Sequence, residues 1–204
     1  MSGDDRIRWD ARHAAAGPPG VTPPGVLAGA AELTACFPVS GRAMDVACGR
    51  GGVAVWLARR GLAVDAVDVS PVGLAAGARL AAAAGVTGRI RWIAHDLDAG
   101  LPPGCRGSYD VVVCQLYRDP RRYADLVAAL APGGLLAITV LSEVDAEPGP
   151  FRAPPGELRA ALRGLETLLD RERDGEAALL ARRPPAPPVP LVPPGSPPAP
   201  RPRW

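Results

Sequence analysis

The chain has no lysine and no asparagine, so all 23 of its basic residues are arginine. That absence excludes a catalytic lysine and any site built on an asparagine amide. The four cysteines form no CxxC pair, and only two histidines accompany them. Cysteines and histidines in this arrangement do not match the spacing of a zinc site, and they do not indicate a disulfide framework. The sequence therefore predicts no metal and a reduced, cytoplasmic protein.

Long apolar runs are also missing. No stretch approaches the ~18 consecutive apolar residues that a membrane-spanning helix needs, so no membrane association is expected. The charged opening MSGDDRIRWD lacks the apolar core of a signal peptide. A formal net charge of only +2 argues against nucleic acid as a partner, because nucleic-acid binders usually present a broad basic face.

What is present is a regular alternation of strand-like and helix-like runs from about residue 25 to 165, which predicts an α/β fold with a parallel sheet. The run YDVVVCQL is almost wholly apolar, as expected of a central strand buried on both faces. A closing hairpin turns at Asp174-Gly175. The predicted strands are 42–47, 62–69, 89–96, 109–116 and 135–141, with the hairpin over 167–183.

Helices are predicted between the strands, and a further one over 26–37 precedes the first strand. Ser70 and Pro71 form the start of a helix, as a capping hydroxyl and a proline at the first turn. The organisation predicted is an N-terminal helix and linker (1–24), one α/β domain (25–183) and a Pro-rich tail (184–204). The tail has too little apolar surface to order itself, so we expect it to be disordered, with a docking segment as the alternative.

A glycine-rich loop between the first strand and the following helix is the clearest candidate site. It reads DVACGRGG, with Gly49 and Gly51 where a ligand can approach the backbone closely. Both a dinucleotide and S-adenosylmethionine fit such a loop. Asp45 favours the second, since a carboxylate repels a pyrophosphate and attracts an ammonium group. A turn-capping acid is the alternative role for Asp45.

Two further acids follow the next two strands. Asp68 can accept both hydrogen bonds of a ribose diol, and the adjoining Val69 is included in the predicted cofactor site. Asp96 is placed to accept the adenine amino group, with the backbone N–H of Leu97 near a ring nitrogen. Asp98 is the rival to Asp96.

Together these segments resemble the class I S-adenosylmethionine-dependent methyltransferases, over residues 1–183. The motifs are DVACGRGG, VDAVDVS, AHDLDAGLP, YDVVVCQLYRDP and LAPGGLLAITV. The resemblance implies a single-domain, Rossmann-like, doubly wound sheet of seven strands. That sheet is mostly parallel, ends in an antiparallel hairpin and has the strand order 3-2-1-4-5-7-6. Ala47 replaces the first glycine of the family's acid-x-Gly-x-Gly-x-Gly pattern, a change expected to cost little unless the backbone there needs a positive φ.

The N-terminal helix resembles that of the small tellurite-resistance-type subgroup, whose members share a W-D-x-R-[YH] pattern. In this subgroup the helix folds over the cofactor as a lid, which implies that Trp9, Arg12 and His13 lie near the site. An ordinary amphipathic surface helix anchored by Trp9 is the alternative.

In the family, the segment after the fourth strand faces the transferring methyl group, which here implies Cys114, Gln115, Leu116, Tyr117 and Arg118. The letters C-Q-L-Y depart from the [DNS]-P-P-[YF] signature of relatives that methylate adenine or glutamine, so that chemistry is disfavoured. His13 and Tyr117 are the candidates for a general base, and Cys114 is expected to be a packing residue. Arg118, Arg121 and Arg122 either attract an anionic substrate or form a solvated helix face.

The function predicted from these residues is S-adenosylmethionine-dependent methyl transfer, by in-line displacement, to a small-molecule acceptor. Two alternatives stay open at this point. One is an NAD(P)-dependent oxidoreductase with a Rossmann fold, and the other is a non-catalytic cofactor-binding protein.

Overall fold

A computed structural model describes residues 3–105, 107 and 109–185. Seven strands form one sheet in the order 3-2-1-4-5-7-6, so the predicted fold and strand order are confirmed. The first five strands are parallel where they pair, and the last two form the antiparallel hairpin. The strands are β1 (Arg42–Val46), β2 (Ala63–Asp68), β3 (Ile90–Ala94), β4 (Tyr109–Gln115), β5 (Leu130–Leu141), β6 (Glu166–Arg173) and β7 (Glu176–Arg182). The predicted tail lies almost wholly outside the described residues, and the predicted domain boundaries stay a prediction.

Within the described residues, five α-helices accompany the sheet: α1 (Gly3–Ala15), α2 (Gly52–Arg59), α3 (Pro71–Ala83), α4 (Tyr123–Ala129) and α5 (Glu157–Ala161). The Ser70 hydroxyl accepts the N–H of Gly73 and caps α3, as the sequence predicts. In the described part of the chain, no helix combines the length and apolar content needed to cross a membrane.

The predicted helix over 26–37 is wrong. Two short 3-10 helices occupy this stretch instead, Gly25–Leu27 and Ala31–Cys36. Gly29 between them has a φ of 69°, a left-handed conformation that ends the first turn. The fifth strand also begins earlier than predicted, at Leu130, with a register shift against β4 where a turn was expected.

The sheet is buried on both faces, which explains the nearly continuous apolar run of β4. Alternate residues of that strand point to opposite sides, so that Val112 packs under α4 and α5 while Val111 packs under α2 and α3. This alternation also fixes which side chains reach the site. Four polar residues near the carboxyl ends of their strands alternate so that their side chains point to the face covered by α2. They are Asp45, Asp68, Gln115 and Thr139.

Close packing of the glycine loop against α3 depends on one aromatic ring. A methyl group at Gly51 or at Gly77 would lie 2.5 Å from the Cη2 atom of Trp92 on β3. Gly77 also lies close to the loop, with its Cα 3.1 Å from the Cβ position of Gly51. Only glycine at both positions leaves room for the indole ring.

Gly77→Ala is therefore expected to lower the free energy of unfolding by about 1–3 kcal/mol, because the added methyl overlaps a ring that cannot move freely. Alanine is otherwise the better helix former by about 1 kcal/mol, so a loss of stability has to come from the ring. Urea unfolding measures the effect. The control is Gly88→Ala, where nothing lies within 4 Å of the added carbon. Equal stability of both variants would contradict the packing described here.

Candidate functional site

The glycine loop and the ends of β1 and β2 lie together at the carboxyl edge of the sheet, where the candidate crevice for a ligand is. Asp68 connects its parts, since one carboxylate oxygen accepts the N–H of Gly49 at 2.8 Å and the other accepts the N–H of Ser70 at 2.8 Å. Asp68 is only 7% exposed. The predicted site residues Asp45, Gly49 and Asp68 are therefore brought together by the fold.

Ala47, at the position of the missing glycine, has a φ of 55°. Alanine in place of glycine was expected to be costly only if the backbone there needs a positive φ, and it does. A left-handed alanine carries about 1 kcal/mol or more of backbone strain. Strain held at this point shows that the loop's shape is imposed by its surroundings rather than by its own sequence.

Asp45 is a buried polar group of the crevice whose hydrogen-bonding capacity is only partly used. It is 2% exposed, and its Oδ2 atom has no hydrogen-bond partner among the described residues. Burial raises the pKa of this carboxyl to about 8; the nearby charge of Asp68 adds to the rise, and a hydrogen bond from the backbone of Ala54 opposes it. A buried acceptor without a donor is suited to an incoming cation that donates hydrogen bonds.

Helix α1 lies across the mouth of this crevice. The His13 ring is 3.5 Å from the Cβ position of Gly49 and 2.9 Å from that of Gly73. Trp9 stacks on His13 with ring centroids 5.6 Å apart, and Arg12 lies over Trp9 at 5.1 Å. Of the three predicted residues, His13 thus reaches the loop, while Trp9 and Arg12 reach it through His13. Burial lowers the pKa of His13, and the charge of Asp68 partly opposes this.

The linker after α1 also covers the crevice, which no sequence pattern indicates. The N–H of Thr22 donates to the carbonyl of Gly52, and the N–H of Gly25 donates to Oε1 of Gln115 at 2.9 Å. Gln115 therefore anchors the linker, and its predicted place beside the cofactor stays a prediction. Gly51 faces Trp92 rather than open space, so packing explains this glycine, which was predicted as a cofactor contact.

On the adenine side of the predicted site, Asp96 accepts the N–H of Asp98 at 2.9 Å and caps the 3-10 helix Leu97–Ala99. Its rival Asp98 forms an ion pair with Arg121 at 3.2 Å. The side chains of Leu97 and Val69 are buried beside this turn. The structure thus places all four residues at the end of β2 or β3, and an adenine contact stays a prediction.

At the end of β4, Cys114 is buried and its pKa is raised by that burial, which suits a packing residue and not a nucleophile. Burial, with the charge of Asp119, raises the pKa of Tyr117 to about 12, which opposes a role as general base. Between Cys114 and Tyr117, the side chain of Leu116 is 57% exposed, and its backbone has a left-handed conformation with a φ of 56°.

Each of the three arginines after β4 bonds to a carboxylate, and their two expected roles, attraction of an anionic substrate or a solvated helix face, stay predictions. Arg118 forms two hydrogen bonds to Glu157, whose Oε1 also accepts the hydroxyl of Tyr123 at 2.6 Å. The remaining pairs are Arg121 with Asp119 and Arg122 with Asp125, each at 2.9 Å. Across the described residues, no group of three His, Cys, Asp or Glu side chains could hold a metal ion.

Several proteins that resemble this chain in sequence or in fold are methyltransferases by name. Residues 43–134 match the family model described as "Methyltransferase domain". A 114-residue stretch is 32% identical to ribosomal RNA small subunit methyltransferase C of Alcanivorax borkumensis, covering 51% of this chain and 33% of that protein. The chain thus spans about a third of that relative.

Three solved structures are similar in fold. Geranyl diphosphate C-methyltransferase of Streptomyces coelicolor A3(2), solved with S-adenosyl-L-homocysteine, has a TM-score of 0.66 at 16% identity, covering 88% of this chain and 96% of that one. TehB of Haemophilus influenzae has a TM-score of 0.64 at 19% identity, and the match covers 75% of this chain and 60% of that one. The [4+2]-cyclase SpnF has a TM-score of 0.64 at 21% identity, and the match covers 76% of this chain and 79% of that one.

The resemblance to the class I S-adenosylmethionine-dependent methyltransferases is therefore confirmed. Residues 43–134 match a methyltransferase domain, the sheet has the fold of that class, and S-adenosylmethionine is the cofactor that such a domain implies.

Asp45→Asn is expected to change how stability depends on pH. The folded chain keeps Asp45 protonated up to about pH 8, whereas the unfolded chain releases that proton above its ordinary pKa of 3.8. Stability of the ligand-free protein should therefore fall as the pH rises from about 4 to 8, with a slope of at most about 1.4 kcal/mol per unit. The amide has no such proton, so the loss between about pH 5 and pH 8 should shrink by about 3–4 kcal/mol.

Urea unfolding of both proteins at the two pH values measures this difference. Glu147→Gln, which removes an exposed acid, is the control. Parallel pH profiles for the wild type and Asp45→Asn would show that Asp45 is ionised in the folded chain.

Proposed function

We propose that the protein is an S-adenosylmethionine-dependent methyltransferase that acts on a small molecule. The observation that carries the proposal is the unpartnered Oδ2 atom of Asp45, buried at the mouth of the glycine loop. The amino-acid part of S-adenosylmethionine has an ammonium group that this oxygen fits, whereas a dinucleotide would bring a pyrophosphate towards it. The residues present therefore fit the cofactor.

In this proposal the other predicted residues hold the remaining parts of the cofactor. Asp68 keeps lone pairs for a ribose diol after accepting the N–H groups of Gly49 and Ser70. Gly49 has a φ of 52° and lets the loop backbone approach the ligand closely. Asp96 and the backbone of Leu97 would bind the adenine edge, and Ala47, Val69 and Cys114 would line the crevice.

The bound sulfonium group supplies an electrophilic methyl, so the chain mainly has to align an acceptor in line with it. Such alignment is worth about 7–11 kcal/mol in favourable cases. A base is needed only for an acceptor that must lose a proton. His13 suits that task better than Tyr117, because its lowered pKa keeps the imidazole neutral and able to accept a proton.

A small-molecule acceptor is favoured over RNA by the charges around β4. Arg118, Arg121 and Arg122 are paired with Glu157, Asp119 and Asp125, so they offer little net positive charge to a phosphate backbone. The relative that methylates ribosomal RNA, by its name, is matched over only 33% of its length. A cytoplasmic location and a docking role for the Pro-rich tail stay predictions.

The alternative is a protein that does not catalyse methyl transfer, either because it is not an enzyme or because it catalyses another reaction. SpnF, a protein of similar fold, is named as a [4+2]-cyclase. A screen for release of S-adenosylhomocysteine decides between them. The panel contains thiols, phenols, carboxylates, tellurite, selenite and small ribosomal subunits. We expect release with at least one small molecule and none above background with the subunits. Release with the subunits alone would contradict the acceptor class, and cofactor binding without release in any well would contradict methyl transfer.

Asp68→Ala is expected to weaken S-adenosylhomocysteine binding by about 1–3 kcal/mol, since a buried charged partner of both the ribose and the loop is lost. Equilibrium dialysis measures the dissociation constant. Asp68→Asn keeps one oxygen acceptor and should lose less affinity. Unchanged affinity in Asp68→Ala, with an unfolding midpoint near that of the wild type, would remove Asp68 from the site.

A further inference from the structure

Helix α1 is held on the protein without a buried apolar face. None of residues 4–15 is buried, and Ile7, the one aliphatic side chain in α1 larger than alanine, is 61% exposed. Apolar burial normally docks an amphipathic helix on its domain. For α1 that contribution is small, so polar contacts have to supply much of the docking energy.

The strongest polar contact between α1 and the domain joins Asp10 to Ser70. The Ser70 hydroxyl donates to Oδ1 of Asp10 at 2.5 Å, across 60 residues of sequence. Ser70 is fully buried at the start of α3, and the same hydroxyl oxygen accepts the N–H of Gly73. The contact is partly buried, and a hydrogen bond to a charged acceptor is stronger where water is partly excluded than where it is fully exposed.

Ser70 also connects Asp10 to the crevice. Its backbone N–H donates to Asp68, whose second oxygen accepts the N–H of Gly49. An unbroken series of hydrogen bonds therefore runs from α1 through the cap of α3 and the end of β2 to the glycine loop. His13, one turn further along α1, covers Gly49 and Gly73 while this series is intact.

We propose that Asp10 is a positioning residue, which fixes α1 over the crevice through Ser70 and thereby slows escape of the cofactor. The docking of α1 does not depend on what the crevice binds; only the effect on the cofactor rests on the proposed function. Without the Asp10–Ser70 contact the helix has little to hold it, so His13 leaves the mouth of the loop.

Two measurements on the full chain test this. Amide hydrogen exchange of residues 9–15 in the ligand-free protein reports the docking of α1, and the dissociation rate of S-adenosylhomocysteine reports the closure. Asp10→Ala should raise both rates by about tenfold, the scale of one lost charged hydrogen bond. Asp10→Asn keeps an oxygen that accepts the Ser70 hydroxyl and should stay within about twofold of the wild type.

The matched control is Asp5→Ala, which removes an acid that bonds Arg8 on the surface of the same helix. It should leave both rates near those of the wild type. In a Ser70→Ala background, Asp10→Ala should have little further effect, since the contact is already absent.

Exchange in Asp10→Ala equal to that of the wild type would overturn the proposal. So would an Asp10→Asn variant as impaired as Asp10→Ala, or a full additional effect of Asp10→Ala in the Ser70→Ala background. If the wild type fails to bind S-adenosylhomocysteine, the proposed function fails, and the exchange rates alone still decide whether Asp10 docks α1.

Discussion

Two buried carboxylates meet at one edge of the sheet, and only one of them is satisfied by the protein. Asp68 accepts hydrogen bonds on both oxygens from the backbone around it, whereas one oxygen of Asp45 has no donor in the described structure. Their mutual repulsion and their burial make the ionised form of Asp45 costly until a cation arrives. A site of this kind favours ligands with a positively charged, hydrogen-bonding group and disfavours those that present a phosphate.

The remainder of the fold serves to hold that edge in place. Trp92 presses the glycine loop against α3, and the strained Ala47 shows that the loop's conformation is set by these contacts. Above the loop, α1 and the linker close the crevice through Asp10, His13 and Gly25. The fold by itself does not fix the chemistry, because solved proteins of the same architecture include C-methyltransferases and a cyclase. The chemistry has to be argued from the charges at the edge.

Sequence patterns were sufficient for most of the strands of the sheet. Alternating apolar runs and glycines predicted strands and turns because those signals are local, whereas the strand order came from the resemblance to a known family. The helix expected over 26–37 failed because Gly29 adopts a left-handed conformation in a stretch that otherwise has helix-forming residues. The contacts of Asp10 with Ser70 and of Gly25 with Gln115 lie 60 and 90 residues apart, beyond the reach of any local pattern. Likewise, nothing in the sequence places Trp92 beside Gly51, although that ring alone requires a glycine there.

Isothermal titration of the wild-type protein with S-adenosylhomocysteine, and separately with NADH, tests most directly whether the edge is built for an ammonium group. We expect saturable binding of one equivalent of S-adenosylhomocysteine and no measurable heat of binding with NADH. Saturable binding of NADH without binding of S-adenosylhomocysteine would contradict the account, since a pyrophosphate would then be tolerated beside the buried Asp45.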